Sequence, residues 1–414
     1  MKKVSFILLV IFALFSCKSN NPTLGIENGN GVTNPKKLNL SEKDKKILTY
    51  NNAFSLNLYR GMCKSNDNSN IVCSPFSASA LLGMIMNGAE GETFNQIRNS
   101  LGFEEFDRDG INSYYEKLFE ALPALDKTNI FRIANSAWIG ENTLVEEIFI
   151  SDCSHFFNAT IENVDFRKEE TSIDIINKWA KTNTGNNIKS VVDHSMINAN
   201  TEMVLVNALF FSGKWASVFD KKNTSKNVFN SVVGKQTVDM MEQAGDFKYY
   251  GDENLQILEM DYKENKYCMD IILPDEKSSL EIVTEYISKQ ENWNTLLQQM
   301  ETLPVTVTMP KFDLQYSVEL SAMLKRIGIE DVFNKSANLS KISKENLLVN
   351  GIGQTSRIIV NETGTEASSA TSGTVDSELQ SFAKYIFTAD HPFMIIIREK
   401  EYGVILFMAQ INQI

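Results

Sequence analysis

The second half of the sequence is crowded with short segments rich in β-branched and aromatic residues, and this feature most limits the folds open to the chain. Seven such segments follow one another from Thr201 onward: "TEMVLVNALFFSGKW", "LQILEMDY", "YCMDIILP", "LPVTVTMPKF", "SRIIV", "FMIIIRE" and "YGVILFMAQI". Earlier segments such as "SEKDKKILTYNNAFSLNLYRGM" and "SPFSASALLGMIMNGAEG" instead place apolar residues at three- and four-residue spacings, which predicts helices. No internal repeat is visible. The pattern predicts an α+β fold with helices early and large sheets late.

The length and charge narrow the possible functions. The chain has 414 residues, 43% of them hydrophobic, and a formal net charge of −12. Nucleic-acid binding and binding to anionic membranes both need a cationic face, so neither is expected. After Ser41 no linker-like segment occurs. Residues 41–414 are therefore predicted to form a single domain.

The N-terminal segment has the pattern of an export signal. "MKKVSFILLVIFALFSC" has two lysines and then an apolar run shorter than the roughly 20 residues that a membrane-spanning helix needs. Its end resembles a bacterial lipoprotein signal, so we expect residues 1–16 to be removed and Cys17 to be lipidated; an ordinary signal with an incidental cysteine is the alternative. Residues 17–40 are rich in Asn and Gly, which predicts a flexible tether. We expect an exported protein, held at the outer membrane or cell surface only through its lipid, or else extracellular.

Patterns of catalytic and metal-binding residues are missing from the sequence. It contains no GxSxG, HExxH, P-loop or GxGxxG motif, and its three histidines are widely separated. The cysteines at 63, 73, 153 and 268 form no CxxC pair, so we expect mostly buried free thiols, with one disulfide as an open alternative. No catalytic residue, metal or cofactor is therefore predicted, and an enzyme is not expected.

The segment 361–375, "NETGTEASSATSGTV", separates two strand-like runs and has no large apolar side chain before Val375. Alternate residues of a strand face opposite sides of a sheet. One set would be Thr365, Ala367, Ser369, Thr371, Gly373 and Val375; the other would be Glu366, Ser368, Ala370, Ser372, Thr374 and Asp376, with both acids. No proline lies between Lys311 and His391. The segment could thus enter a sheet with one small, uncharged face inward, although a flexible loop is the alternative.

Several motifs, in order along the chain, resemble the serpin family of serine protease inhibitors. They are "NIVCSPFSASALLGMIMNGAEGETFNQI", "ANSAWI", "INKWAKTNTGNNI", "VNALFFSGKW", "MPKF", "LKRIGIEDVFNKSANLSKIS", "VNETGTEASSAT" and "ADHPFMIIIRE". The resemblance extends from about residue 41 to the end. It implies about nine helices around three β-sheets and an exposed reactive-centre loop at about 362–387.

The resemblance also implies a mechanism. A target serine or cysteine protease would cleave the loop and become trapped as a covalent acyl-enzyme while the loop inserts into the large sheet of a monomeric inhibitor, without a cofactor. Non-inhibitory relatives tend to carry bulky or charged residues in the hinge, but the hinge here is mostly small and polar: Glu362, Gly364, Thr365, Glu366, Ala367, Ser368, Ser369, Ala370 and Thr371. Inhibition is therefore expected; a non-inhibitory binding or carrier protein is the alternative.

The position of the reactive bond depends on the reference point. Counting forward from Gly364 by the family's usual hinge length gives Glu378 and Leu379, whereas counting back from Pro392 gives Ser381 and Phe382. Lys384 is a third possibility, for a trypsin-like protease. The forward count is preferred because the length of the inserting segment is mechanically constrained. A glutamate-preferring protease would suit Glu378, and a chymotrypsin- or elastase-like one Leu379.

Four further residues are expected to control opening of the large sheet. By resemblance, Asn207 and Trp215 would lie near the end of the sheet where the hinge enters, and Ser74 and Ser77 would lie beneath the same sheet. A simple core tryptophan and a strand-end asparagine are the alternatives for Trp215 and Asn207.

Overall fold

Nine α-helices and fifteen β-strands occur in the parts of the chain that the computed structural model describes, residues 37–66, 68–365 and 384–414. The helices are α1 (Glu42–Lys64), α2 (Pro75–Gly88), α3 (Gly91–Ser100), α4 (Arg108–Ala121), α5 (Glu147–Phe157), α6 (Glu169–Asn183), α7 (Leu280–Ile287), α8 (Gln290–Gln299) and α9 (Ser321–Arg326). The strands are β1 (Ile71–Cys73), β2 (Ile130–Gly140), β3 (Ala159–Val164), β4 (Met203–Lys214), β5 (Ser225–Ser231), β6 (Gly234–Gly251), β7 (Leu255–Asp261), β8 (Tyr267–Pro274), β9 (Glu301–Pro310), β10 (Phe312–Glu319), β11 (Gly351–Asn361), β12 (Gly364–Thr365), β13 (Tyr385–Thr388), β14 (Phe393–Glu399) and β15 (Ile405–Ile411). The predicted α+β class is confirmed.

The two helices predicted most directly from the sequence both begin at a capping serine. Ser41 and Asp44 form a reciprocal capping box at the start of α1. Ser74 caps α2, and Pro75 fills the first helical position, where a missing N–H has no cost. Every residue of α2 is buried. This helix therefore packs inside the protein, against β4 and β15.

Six strands form one mixed sheet, in the order β10, β11, β12, β4, β2, β3. β10 is antiparallel to β11, and β4 is antiparallel to β2. In the centre, however, β11 and β4 run parallel and pair directly from Gly351 opposite Val204 to Arg357 opposite Phe210. We call this parallel contact the seam.

Both faces of this sheet are covered. On β4, Met203, Leu205, Leu209 and Phe211 belong to the main core, which also contains α2. The intervening Val204, Val206 and Ala208 pack in a second cluster with residues of α6. This explains why β4 has a nearly continuous apolar sequence instead of alternating polar and apolar residues.

The other nine strands form a second network. Eight of them pair in the order β1, β15, β14, β8, β7, β6, β9, β13, and β5 pairs with β6. The long strand β6 connects its two parts, because Met240–Tyr249 pair with β9 while Lys248–Gly251 pair with β7. Together with the six-stranded sheet, these two parts correspond to the three sheets that were expected. β13 forms an edge of the network and pairs with β9.

The packed structure starts slightly before the expected domain boundary. Leu38 and Leu40, which the sequence analysis assigned to the tether, are buried in the main core. Among the described residues no helix is long and apolar enough to span a membrane. The signal peptide, Cys17 and most of the tether lie outside the described residues and stay predictions.

The four cysteines of the described part are free thiols, so the open alternative of a disulfide is not realised there. Burial raises the pKa of Cys63 to about 12 and holds the pKa values of Cys73, Cys153 and Cys268 well above the usual range. These thiols are therefore protonated and unreactive at neutral pH.

Candidate functional site

The hinge begins as a short strand at one end of the seam. Gly364 lies opposite Lys214 of β4 and Asn361 of β11, and Thr365 lies opposite Gly213 and Val360. β12 is antiparallel to both neighbours. At this end of the seam β12 therefore lies between β11 and β4, whereas further along the two strands pair directly with each other.

A tight turn and a glycine make this entry possible. The side chain of Asn361 accepts hydrogen bonds from the backbone N–H of Thr363 at 3.0 Å and from its hydroxyl at 2.8 Å. Gly364 has φ +147°, and a Cβ there would lie 2.0 Å from the carbonyl oxygen of Gly213. Because that atom belongs to a sheet backbone, it cannot move aside easily. Only glycine fits at this position without a local rearrangement.

Trp215 and Tyr262 contact β12 and the turn before it from the core side. Their rings stack with centroids 4.8 Å apart, and the indole N–H of Trp215 donates to the carbonyl oxygen of Asn361 at 3.0 Å. The hydroxyls of Tyr262 and Thr365 are hydrogen-bonded at 2.8 Å, and both residues are fully buried. Burial raises the pKa of Tyr262, so its hydroxyl stays protonated. Trp215 thus lies at the end of the seam that β12 occupies, and its role in sheet opening stays a prediction.

Glu362 fixes the turn before β12. Its buried carboxylate accepts hydrogen bonds from Lys311 and Thr224, both at 3.0 Å, and its carbonyl oxygen accepts one from the backbone N–H of Phe219. Burial alone would raise the pKa of Glu362, but hydrogen bonds from its own backbone, Lys311 and Thr224 together lower it. The carboxylate is therefore ionised at neutral pH. It forms an ion pair with Lys311, the residue between β9 and β10.

A second group of polar side chains lies halfway along the seam. The amide of Gln354 on β11 accepts from the backbone N–H of Ser74 and donates to its carbonyl oxygen, both at 2.8 Å. Ser74 and Ser77 also bond to each other through their hydroxyls at 3.1 Å. The N-terminus of α2 is thereby tied to one strand of the seam. Ser74 and Ser77 lie beneath the sheet, and their role in its opening stays a prediction.

Asn207 belongs to this second group. It lies opposite Gln354 across the seam, six residues before Gly213. The sequence analysis had instead expected it beside Trp215, at the end of the seam. Its amide nitrogen donates to the side chain of Asn135 at 2.9 Å. The amide oxygen of Asn207 and the hydroxyl of Ser356 are both buried, and neither has a hydrogen-bond partner among the described residues.

Three important residues were missed by the sequence reasoning: Tyr262, Gln354 and Ser356. A polar pair within the apolar strand "GIGQTSRIIV" was a signal for the last two. Of the predicted hinge, Glu362, Gly364 and Thr365 are described; Glu366 to Thr371, the preferred bond at Glu378–Leu379 and the alternative at Ser381–Phe382 lie outside the described residues. Lys384 is exposed and directly precedes β13.

A buried charged cluster in the second network was also not foreseen. Glu259, Cys268 and Asp270 bring atoms of metal-ligand type within 4.8 Å of one another. The guanidinium of Arg398, however, donates to both oxygens of Asp270, at 2.6 and 3.1 Å, and to Glu259. Because a cationic side chain already neutralises these carboxylates, the cluster is better described as a buried ion-pair network than as a metal site.

Comparison with known proteins gives consistent matches over nearly the whole described chain. A family model for serpins, described as serine protease inhibitors, matches residues 49–414. An uncharacterized serpin-like protein from Methanosarcina mazei is 33% identical over 374 residues, which cover 88% of this chain and 87% of that protein.

Two solved structures are similar in fold. Serpin48 of the insect Tenebrio molitor, described as a highly specific serpin, superposes with a TM-score of 0.81 at 29% identity and covers 91% of this chain and 100% of its own. Human thyroxine-binding globulin has a TM-score of 0.82 at 26% identity and covers 90% and 99%.

Proposed function

Because the chain belongs to the serpin family, we propose that it inhibits a serine or cysteine protease as a suicide substrate. The protease nucleophile attacks the carbonyl carbon of the bait residue, the peptide C–N bond breaks, and the amine leaves as the new N-terminus of the downstream fragment. The acyl-enzyme then stays covalently attached to the hinge. Insertion of the hinge into the seam, the movement known for serpins, carries the protease away and deforms its active site before water completes hydrolysis.

One observation supports this proposal above all others: Gly364 and Thr365 already form β12 between β11 and β4. Insertion extends this strand along the seam and exchanges one parallel ladder for two antiparallel ladders. The net gain is one ladder of about twelve hydrogen bonds, each worth roughly 0.5 to 1.5 kcal/mol, or about 6 to 18 kcal/mol in all. Whole domains are stable by only about 5 to 15 kcal/mol. The intact form is therefore held kinetically.

The dimensions of the seam favour the bond after Glu378. If the strand continues from Thr365 one residue at a time, Val375 comes opposite Met203, where β4 begins. Glu378 follows Val375 by three residues, so a protease attached to Glu378 would be carried to the end of the sheet where β4 begins. If the bond after Ser381 were cleaved instead, more residues would remain between the inserted strand and the attached protease. A bond after Lys384 would require the protease to bind residues that β13 pairs with β9.

The protein is further proposed to act as a monomer anchored by a lipid on Cys17. The support is the pattern of the first 17 residues. Incorporation of labelled palmitate by cells expressing the full chain tests this. Labelling is expected in the unaltered protein and absent in the Cys17→Ser variant; equal labelling of both would contradict it.

A carrier role is the second candidate, because one of the similar structures is of a binding globulin. Incubation with chymotrypsin-, elastase-, trypsin- and glutamate-specific proteases, followed by denaturing gel electrophoresis, distinguishes the two roles. Inhibition gives a band at the summed mass of protease and inhibitor. Cleavage of the loop without such a band, for every protease of the panel, would overturn the proposal. Mass spectrometry of the released C-terminal fragment identifies the bond.

A further inference from the structure

A methionine on the outer face of the six-stranded sheet fills a notch formed by two glycines of β11. Met196 belongs to residues 184–202, which connect α6 to β4 and which we call the connector. A Cβ added to Gly353 would lie 2.8 Å from Cε and 3.0 Å from Sδ of Met196, and one added to Gly351 would lie 3.3 Å from Cε. The end of the methionine side chain therefore occupies the space that two side chains of β11 would otherwise fill.

The connector contacts both strands of the seam. Its apolar residues pack against the outer face of β4 in the second cluster, and Met196 packs against the same cluster. Two contacts then reach β11: Arg357 donates to the carbonyl oxygen of Asn187 at 3.3 Å, and Met196 enters the glycine notch. The contact of Met196 depends on close packing alone, so a change in the size or polarity of its side chain should weaken it.

The sulfur of Met196 is within reach of small solutes. Among the described methionines, Met196 and Met323 are half-buried, whereas all the others are buried. Met196 also lines a cavity of about 130 Å³ that is open to solvent between the connector and the end of β10. A water molecule takes up about 30 Å³ in the liquid, and hydrogen peroxide is only slightly larger, so a peroxide has room to approach the thioether.

We propose that Met196 is an oxidation-sensitive site, and that its conversion to the sulfoxide by hydrogen peroxide releases the connector from β11. The thioether sulfur attacks one peroxide oxygen, the O–O bond breaks, an S–O bond forms, and the other oxygen leaves with both protons as water. Sulfur is oxidised and the peroxide is reduced, so no further reactant is needed. The inference does not depend on the proposed function, because it concerns only the folded chain and a small oxidant.

The sulfoxide fits the notch poorly because the notch offers it no hydrogen-bond donor. The nearest polar atoms of other segments are the carbonyl oxygen of Val191, 3.4 Å from the Cβ position of Gly353, and a carboxylate oxygen of Glu319, 3.7 Å from that of Gly351. Both are acceptors, as a sulfoxide oxygen is. Burying a polar group without a partner is unfavourable, whereas the thioether is apolar and adapts to irregular gaps. Oxidation should therefore drive the side chain out of the notch.

Peroxide treatment of the full-length protein, followed by tryptic mapping, tests the accessibility of the sulfur. Met196 and Met323 are expected to gain an oxygen atom before any buried methionine does. Hydrogen-exchange mass spectrometry should then show faster exchange at Met196 and Ile197, whose N–H groups donate to the carbonyl oxygen of Asp193 in the intact connector. A Met196 that stays unmodified while buried methionines are oxidised, or unchanged exchange once Met196 is oxidised, would overturn the proposal.

Melting experiments separate Met196 from other sites of oxidation. They use a Met323→Leu background, because Met323 fills a similar notch at Gly61. Peroxide should lower the melting temperature of this background by roughly 2 to 4 °C, and methionine sulfoxide reductase should restore it. Adding Met196→Leu, which keeps the volume but cannot form a sulfoxide, should limit the change to about 1 °C.

Met196→Gln in the same background provides a test without an oxidant. Its polar amide replaces the thioether on a chain of similar length, so the untreated variant should melt roughly 2 to 4 °C below the background. Equal losses with and without Met196→Leu after peroxide, or a Met196→Gln variant that melts with the background, would show that the notch does not hold the connector. Either result leaves the proposed protease inhibition untouched.

Discussion

Thr365 has the most demanding environment of the described hinge. It is fully buried and its hydroxyl is bonded to the hydroxyl of Tyr262. A large side chain at this position would displace Tyr262, which is itself fully buried. A charged side chain would have to lose its hydration without a partner, which costs several kcal/mol.

Thr365→Arg is therefore expected to convert the inhibitor into a substrate. The loop is still cleaved, but the buried charge disrupts β12, from which the inserted strand would extend. The covalent band should therefore decrease at least about tenfold, which corresponds to about 1.4 kcal/mol between the two outcomes. Gel densitometry against the matched control Thr365→Ser, which keeps the hydroxyl, measures this ratio. Undiminished trapping by the arginine variant would contradict the assignment of the hinge.

The ion pair of Glu362 gives a pH-dependent prediction. Lys311→Met removes the charged partner of a buried carboxylate, so the free energy of unfolding at pH 7 should fall by about 1 to 3 kcal/mol. Because the native pKa of Glu362 is below its ordinary value of 4.5, the stabilisation is complete above 4.5 and is lost as the pH falls through the lowered native value.

Guanidinium unfolding at pH 7 and at a pH well below 4.5 checks this. The difference between wild type and Lys311→Met should shrink at the lower pH. Lys226→Met, which removes an exposed pair with Asp239, serves as control and should change the free energy of unfolding by less than about 1 kcal/mol at either pH. A deficit that is independent of pH would refute the role of the ionised carboxylate.

At the scale of elements, the contact between α2 and β11 holds the intact sheet together. Gln354 bonds to both backbone groups of Ser74, the residue that caps the fully buried α2. Since β11 is one side of the seam, this contact resists separation of the two strands. If the sheet opens as proposed, β11 must either move together with α2 or lose the hydrogen bonds between Gln354 and Ser74.

Gln354→Leu should destabilise the intact protein by roughly 2 to 4 kcal/mol, because two buried backbone groups lose their partners. The midpoint of guanidinium unfolding measures the loss. Gln315→Leu, at an exposed position on β10, is the matched control and should have little effect. Equal stability of Gln354→Leu and the control would show that the contact does not restrain the sheet.

The elements were largely predictable, and the contacts between them were not. The apolar spacing within α1 and α2 depends on neighbouring residues, and it was visible in the sequence. Thr365 and Trp215 were identified through family motifs. Tyr262, by contrast, meets Thr365 across 103 positions, and nothing local in the sequence indicates this. The position of Asn207 was misjudged because a motif gives order along the chain but not distance along the sheet.

For the whole molecule, the parallel seam is the feature through which the proposed insertion of the loop would increase stability. A parallel pair inside an otherwise largely antiparallel sheet can accept a strand between its members without reversing either of them. The gain of a complete ladder should then appear as a large change in stability.

Cleavage between Thr374 and Lys384 should accordingly raise the melting temperature by about 10 °C or more. Scanning calorimetry of intact and nicked protein measures the shift. The nicked Thr365→Arg variant is the control and should melt close to its intact form. An unchanged melting temperature of nicked wild type would rule out insertion.

The tight turn at Glu362 and Thr363 determines how this movement proceeds. It joins β11 to β12 as a hairpin. If the loop inserts as proposed, the new strand would extend from β12, which is already formed. Little loop-closure entropy opposes each added residue. If the loop inserts as proposed, the slow step would be the separation of β11 from β4, and the new strand would then extend from β12. Whether a protease is trapped would then depend on whether insertion is faster than hydrolysis of the acyl-enzyme.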